Sequence, residues 1–182
     1  MREIYLLLSY SGSVPSHLIH YYTKDPYAHA SISLDKELKE MYSFARLKPN
    51  NPMIAGFVHE DLENGTFKKF HNATCRLYAL KISDGQYRKL LAEITKFKHQ
   101  RKRYSYNFIG VFGAIFNKPI EREFRYFCSQ FVATVLHNSD IRIVEKPPGL
   151  TKPMDFAEHE ELKLIYEGRL HDYPQVLKQS VV

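Results

Sequence analysis

Apolar residues in this chain recur with two different periods, and the change from one to the other comes near residue 85. Before it, Ile4–Ser9, Ala28–Leu34 (AHASISL), Glu40–Leu47 (EMYSFARL) and Thr74–Ile82 (TCRLYALKI) carry short apolar runs or strict alternation, the mark of strands. Beyond it, Tyr87, Leu90, Leu91, Ile94 and Phe97 space a helix over Gln86–Arg101, and Phe131, Val132, Val135 and Leu136 another over Phe127–Asn138. A third helix is expected over Asn107–Phe116 and short ones around Ser16–Thr23, with Ser16 as N-cap, and over Met154–His159. Leu162–Gly168 reads as a last strand. Strands that neighbour in sequence with helices grouped apart specify an α+β domain built on an antiparallel sheet. The Asp35–Leu38 turn joins the second and third strands, and Ser83-Asp84-Gly85 ends the fourth. With 182 residues, 44% of them hydrophobic, and neither repeat nor long linker, one domain over residues 1–182 is expected.

The balance of 26 basic against 20 acidic residues gives a net charge of +6, enough to favour anionic partners without specifying one. The densest basic run, Lys96, Lys98, His99, Arg101, Lys102 and Arg103, reads as the solvated end of a helix. No recognition motif accompanies it, so nucleic-acid binding is not expected. Ile4–Leu8 is far too short to span a bilayer. Arg2 and Glu3 cancel where a secretory leader would be basic. Two cysteines make no disulfide framework, so a cytoplasmic setting is the default.

Cys128 falls at the start of the Phe127–Asn138 helix. Unpaired amides and the helix dipole lower a thiol's pKa there and can also hold a developing oxyanion. Cys75, inside the alternating Thr74–Ile82 strand, reads as a core residue. Among nine histidines, His59, His71, His99, His137, His159 and His171 lie in polar surroundings. His17 and His20 are three apart but have no further ligand near them, so no zinc site is expected. His29 opens a strand after Asp25-Pro26-Tyr27 and precedes small Ala30 and Ser31. That leaves room for a helix terminus to approach, and an imidazole there can exchange a proton with a thiol.

Three segments together resemble a known family. They are residues 12–32 (GSVPSHLIHYYTKDPYAHASI), 104–110 (YSYNFIG) and 126–132 (YFCSQFV). The chain resembles circularly permuted papain-like cysteine hydrolases of the NlpC type, the YiiX/YaeF-like group, in which the histidine precedes the cysteine. The resemblance implies a permuted papain-like fold, with a small antiparallel sheet packed on the helix that bears the nucleophile. It implies Cys128 as nucleophile, His29 as general base, and an orienting residue from the strand beside that of His29. Ser43 is the positional match, where relatives often carry Glu, and Tyr42, Glu40 and Arg46 are alternatives. A serine orients the ring without adding charge to hold the imidazolium. Tyr27, Tyr104, Tyr106 and Gln130 match positions expected to contact substrate.

The expected activity is hydrolysis of an amide, isopeptide or ester bond through an acyl-enzyme, with no cofactor and no metal. By the resemblance, the substrate is a small peptide, an N-acyl amine or a lipid-like amide or ester. One alternative is acyl transfer of the lecithin retinol acyltransferase type, whose members follow the cysteine with Glu-His-Phe where Ser129-Gln130-Phe131 stands here. Another is a catalytically silent binding module of the same fold.

Overall fold

In a computed structural model, which describes residues 1–12, 24–48 and 51–179, six strands form one antiparallel sheet in the order β4-β3-β2-β1-β5-β8. The strands are β1 (Arg2–Tyr10), β2 (His29–Ser33), β3 (Met41–Lys48), β4 (Asn51–Glu60), β5 (Thr74–Ile82) and β8 (Lys163–Arg169). The short strands β6 (Ser105–Tyr106) and β7 (Arg125–Tyr126) pair in parallel apart from it. The helices are α1 (Gly65–Lys69), α2 (Asp84–His99), α3 (Phe108–Ile115), α4 (Cys128–Asn138), α5 (Pro153–Ala157) and α6 (Tyr173–Gln179). The α+β class and the antiparallel sheet follow the periodicity. The expected helix over Ser16–Thr23, with His17 and His20, lies outside the described residues.

Period-two alternation divides the apolar side chains between the two faces of the sheet. Ile4, Leu6 and Leu8 of β1 join Tyr78, Leu80 and Ile82 of β5 on the face covered by α2 and α4. Tyr5 and Leu7 join Cys75, Leu77 and Ala79 on the other, under Phe67, Leu170 and Tyr173. With both faces covered, β1 is buried from Ile4 to Leu8, which is why it reads as a solid apolar run. Leu90, Ile94 and Phe97 of α2 and Phe131, Val132, Val135 and Leu136 of α4 fill the first face. Phe44 stands among the rings of Phe57, Phe97, Tyr104, Tyr126 and Phe131.

Several boundaries move by a residue or two. Ser83 caps α2 in a reciprocal capping box with Gln86, so Asp84 and Gly85 belong to the helix. Asn107 caps α3 through the Gly110 amide. The strand β4, the helices α1 and α6 and the β6–β7 pair have no counterpart in the periodicity reading. The sheet is accordingly wider than the small sheet expected.

Candidate functional site

The sheet opens where the site lies. Strands β2 and β3 pair only at Ile32 with Tyr42 and at Ser33 with Met41, so the His29 end of β2 is free of its neighbour on that side. On its other side β2 stays paired with β1 as far as Ser9 and His29. The N-terminus of α4 packs against this opening. Cys128 occupies the stripe of α4 that continues through Phe131, Val132 and Val135 into the core, and it is 3% exposed.

The sulfur of Cys128 is hydrogen-bonded by the His29 ring and by the backbone amides of Ala30 and Ser129. Burial alone pushes its pKa up, but the imidazole and the two amides outweigh that and hold the thiol below its ordinary value. Burial likewise disfavours the His29 cation, yet the charge of Glu60 and the hydrogen bonds to Cys128 and Glu60 raise this histidine to about 10. The pair therefore favours thiolate and imidazolium over two neutral groups.

Glu60, the last residue of β4, is 7% exposed. Its Oε1 accepts the His29 Nε2–H at 2.9 Å, which leaves Nδ1 as the ring nitrogen turned to the sulfur. The Ser31 hydroxyl donates to Oε2, and Ser43 donates to the same carboxylate. Both serine oxygens also lie near Nε2, at 3.2 Å and 3.3 Å. Burial raises the Glu60 pKa, but the His29 charge and these hydrogen bonds reverse the direction and lower it. Ser43 is thus in contact with the ring as its position suggested, but it shares Nε2 with a closer partner that carries a charge. That partner, Glu60, stands apart from Ser43, Tyr42, Glu40 and Arg46, the positions expected to orient the ring. The alternatives point elsewhere: Tyr42 donates to Glu40 and stacks on Phe57, and Arg46 lies over Phe70.

Tyr106 reaches the other side of the cysteine. Its hydroxyl meets both the sulfur and the backbone amide of Cys128, and burial followed by the cysteine's charge raises its pKa well above normal. Gly56 makes this approach possible. A Cβ on Gly56 would lie 2.9 Å from the Tyr104 carbonyl, so only glycine lets the backbone leading into β6 run so close to β4.

The remaining residues expected at a substrate site are not gathered there. Tyr27 is buried, with its hydroxyl toward Glu167 of β8 and the Arg76 guanidinium over its ring. Gln130 lies two residues beyond Cys128, about 200° around the helix. Its Oε1 accepts the Phe127 amide. Gln130 and Tyr104 line a separate surface depression with Tyr126, Thr134, Arg122 and Arg125.

Cys75 offers the contrast. It is fully buried in the second core cluster, where desolvation pushes its thiol up to about 12. Among the described residues no cluster of three or more His, Cys, Asp or Glu side chains could hold a metal ion. Nor is any helix among them long and apolar enough to cross a membrane. Compared with known proteins, the chain matches no family model, no curated protein and no solved structure.

Proposed function

We propose that this chain is a thiol hydrolase of the permuted papain-like type, cleaving an amide, isopeptide or ester bond through Cys128. The observation that carries the reading is the hydrogen-bonded array Cys128–His29–Glu60, with the thiol lowered and the imidazole raised. A core cysteine has no need of a charged relay, whereas a nucleophile does. The Cys128 thiolate attacks the substrate carbonyl carbon, and the developing oxyanion takes the position between the Cys128 amide and the Tyr106 hydroxyl. His29 Nδ1 then delivers its proton to the leaving nitrogen or oxygen, leaving a thioester. Water, deprotonated by the same nitrogen, hydrolyses the thioester, and Glu60 supports the imidazolium in both halves. The segments quoted from the sequence favour small peptides or N-acyl amines as substrates.

Two assays test this. Limiting iodoacetamide at neutral pH should alkylate Cys128 and spare Cys75. With p-nitrophenyl acetate, a burst of one equivalent of p-nitrophenolate should accompany acetylation of Cys128, followed by slower turnover. Labelling of Cys75 in preference, or no acetyl group on Cys128, would overturn the assignment.

A further inference from the structure

The helix α3 is packed inside out. Its small residues Gly110, Gly113 and Ala114 face inward, and a Cβ on Gly113 would lie 2.4 Å from the Lys118 carbonyl. Its large apolar residues face water: Ile109 is 52% exposed and Phe112 is 54%. They continue into Phe116 at 66% and Ile120 at 38%. A helix on the surface of a water-soluble domain shows the opposite arrangement.

Cations are concentrated in the segments that flank this helix. Between Lys98 and Arg125 stand seven Lys and Arg residues against two carboxylates, so these 28 residues hold five of the chain's six net positive charges. Among the described residues, Arg101, Lys102, Arg103, Lys118, Arg122 and Arg125 form no ion pair. The basic turn is fixed to the loop that follows α3. The Ser105 amide donates to the Phe124 carbonyl at 3.0 Å, and the Arg103 guanidinium lies 4.1 Å over the Phe124 ring. Asn107 Nδ2, donating to the Ile120 carbonyl at 2.9 Å, ties that loop to the start of the helix.

We propose that this face docks on the anionic surface of a phospholipid bilayer, with Phe112 and Phe116 entering the headgroup boundary and the cations engaging phosphates. An exposed apolar face flanked by cations is the form of an interfacial anchor. A second copy of the chain would fit poorly, because self-association would bring two sets of like charge together. The proposal is independent of the chemistry assigned to Cys128, although Tyr106, two residues before α3 and packed on Phe108 at 4.8 Å, places the cysteine site beside the docking face.

The test is co-sedimentation of the full chain with phosphatidylcholine vesicles with and without phosphatidylglycerol, at about 50 mM and about 500 mM salt. Binding is expected on the anionic vesicles at low salt and should weaken at least about tenfold on neutral vesicles or at high salt. The double variant Phe112→Ser/Phe116→Ser and the triple variant Arg101→Gln/Lys102→Gln/Arg103→Gln should each weaken it by about tenfold or more. All five side chains are exposed, so melting temperatures should be unchanged, which separates lost docking from lost folding. No binding to either vesicle, or binding that both variants retain, would overturn the proposal. So would a dimer in sedimentation velocity that Phe112→Ser/Phe116→Ser dissolves, since the face would then be a protein interface.

Discussion

Replacing Glu60 by glutamine isolates the charge of the relay from its shape. Gln can offer its carbonyl oxygen to His29 Nε2 and its NH₂ to the serine oxygens, so the 2.9 Å contact survives while the negative charge is lost. At 7% exposure, water screens this contact little. A hydrogen bond to an ionised group contributes about 1.5–3 kcal/mol and a neutral one about 0.5–1.5. The imidazolium–thiolate form should therefore lose about 1–2 kcal/mol relative to the neutral pair, a thiolate population about five- to thirtyfold smaller where the thiol is mostly protonated. The assay is the rate of Cys128 alkylation by iodoacetamide across pH. The Glu60→Gln profile should fall below the wild type on its acid side and rejoin it at alkaline pH, where both thiols are ionised. Ser43→Ala removes one hydrogen bond to the carboxylate but keeps the negative charge beside His29, so it should slow the acid side less than Glu60→Gln does. Superimposable profiles for Glu60→Gln and wild type would refute the relay, as would a uniform loss at every pH, which would report a distorted site instead.

Tyr106→Phe should lower turnover of p-nitrophenyl acetate about a hundredfold, the usual cost of one oxyanion donor. Alkylation of Cys128 forms no oxyanion and should change by no more than about tenfold. Stability should also depend on pH in a distinctive way. His29, raised to about 10, contributes stability that is complete below its ordinary value of 6.5 and fades as pH rises to about 10. Cys128, lowered from 9.0, contributes in the opposite sense, complete above 9.0 and fading as pH falls through its folded value. Between about pH 6.5 and 9 the His29 contribution falls while that of Cys128, lowered from 9.0, runs against it, so the wild-type melting temperature should decline less than His29 alone would make it. Cys128→Ser removes the offset, so its melting temperature should decline steadily over that range. A flat profile in Cys128→Ser would show that His29 is not held as a cation.

The places of Cys128 and His29 at element ends were legible because the period of each element is clean, whereas their pairing came from the family resemblance. Phe131, Val132 and Val135 fix the helix and so its first turn, and the alternation from Ala28 to Leu34 fixes where His29 enters the sheet. Glu60 was not legible, for two physical reasons. The strand that carries it, NPMIAGFVHE, has a proline at its second position and a glycine at its sixth, both of which weaken a strand pattern. A glutamate closing such a segment, followed by Asp61, also reads as surface charge. One signal was available: Pro49-Asn50-Asn51 between two apolar runs marks a turn. A hairpin drawn there brings the end of β4 back beside the start of β3, where Met41 faces Glu60. The inverted packing of α3 was hidden for a different reason, since periodicity shows that a helix has an apolar face and cannot show which way that face turns.

The separation of β2 from β3 explains how one sheet builds both a packed core and a charged relay. A carboxylate enclosed in a continuous sheet would meet only apolar neighbours and would take up a proton. Here β3 leaves β2 after two residue pairs. The space this opens is filled by the polar ends of four segments: His29 and Ser31 from β2, Ser43 from β3, Glu60 from β4 and the first turn of α4. Each buried polar group has a partner within that space, and among the described residues no buried side-chain nitrogen or oxygen lacks one. The same arrangement separates the two cysteines. Cys75 faces the apolar layer on the far side of β5 and is held as a thiol. Cys128 meets two backbone amides and an imidazole at the opening and is drawn toward thiolate. Closing the gap by extending the β2–β3 ladder toward His29 would therefore remove the relay while leaving both hydrophobic layers intact.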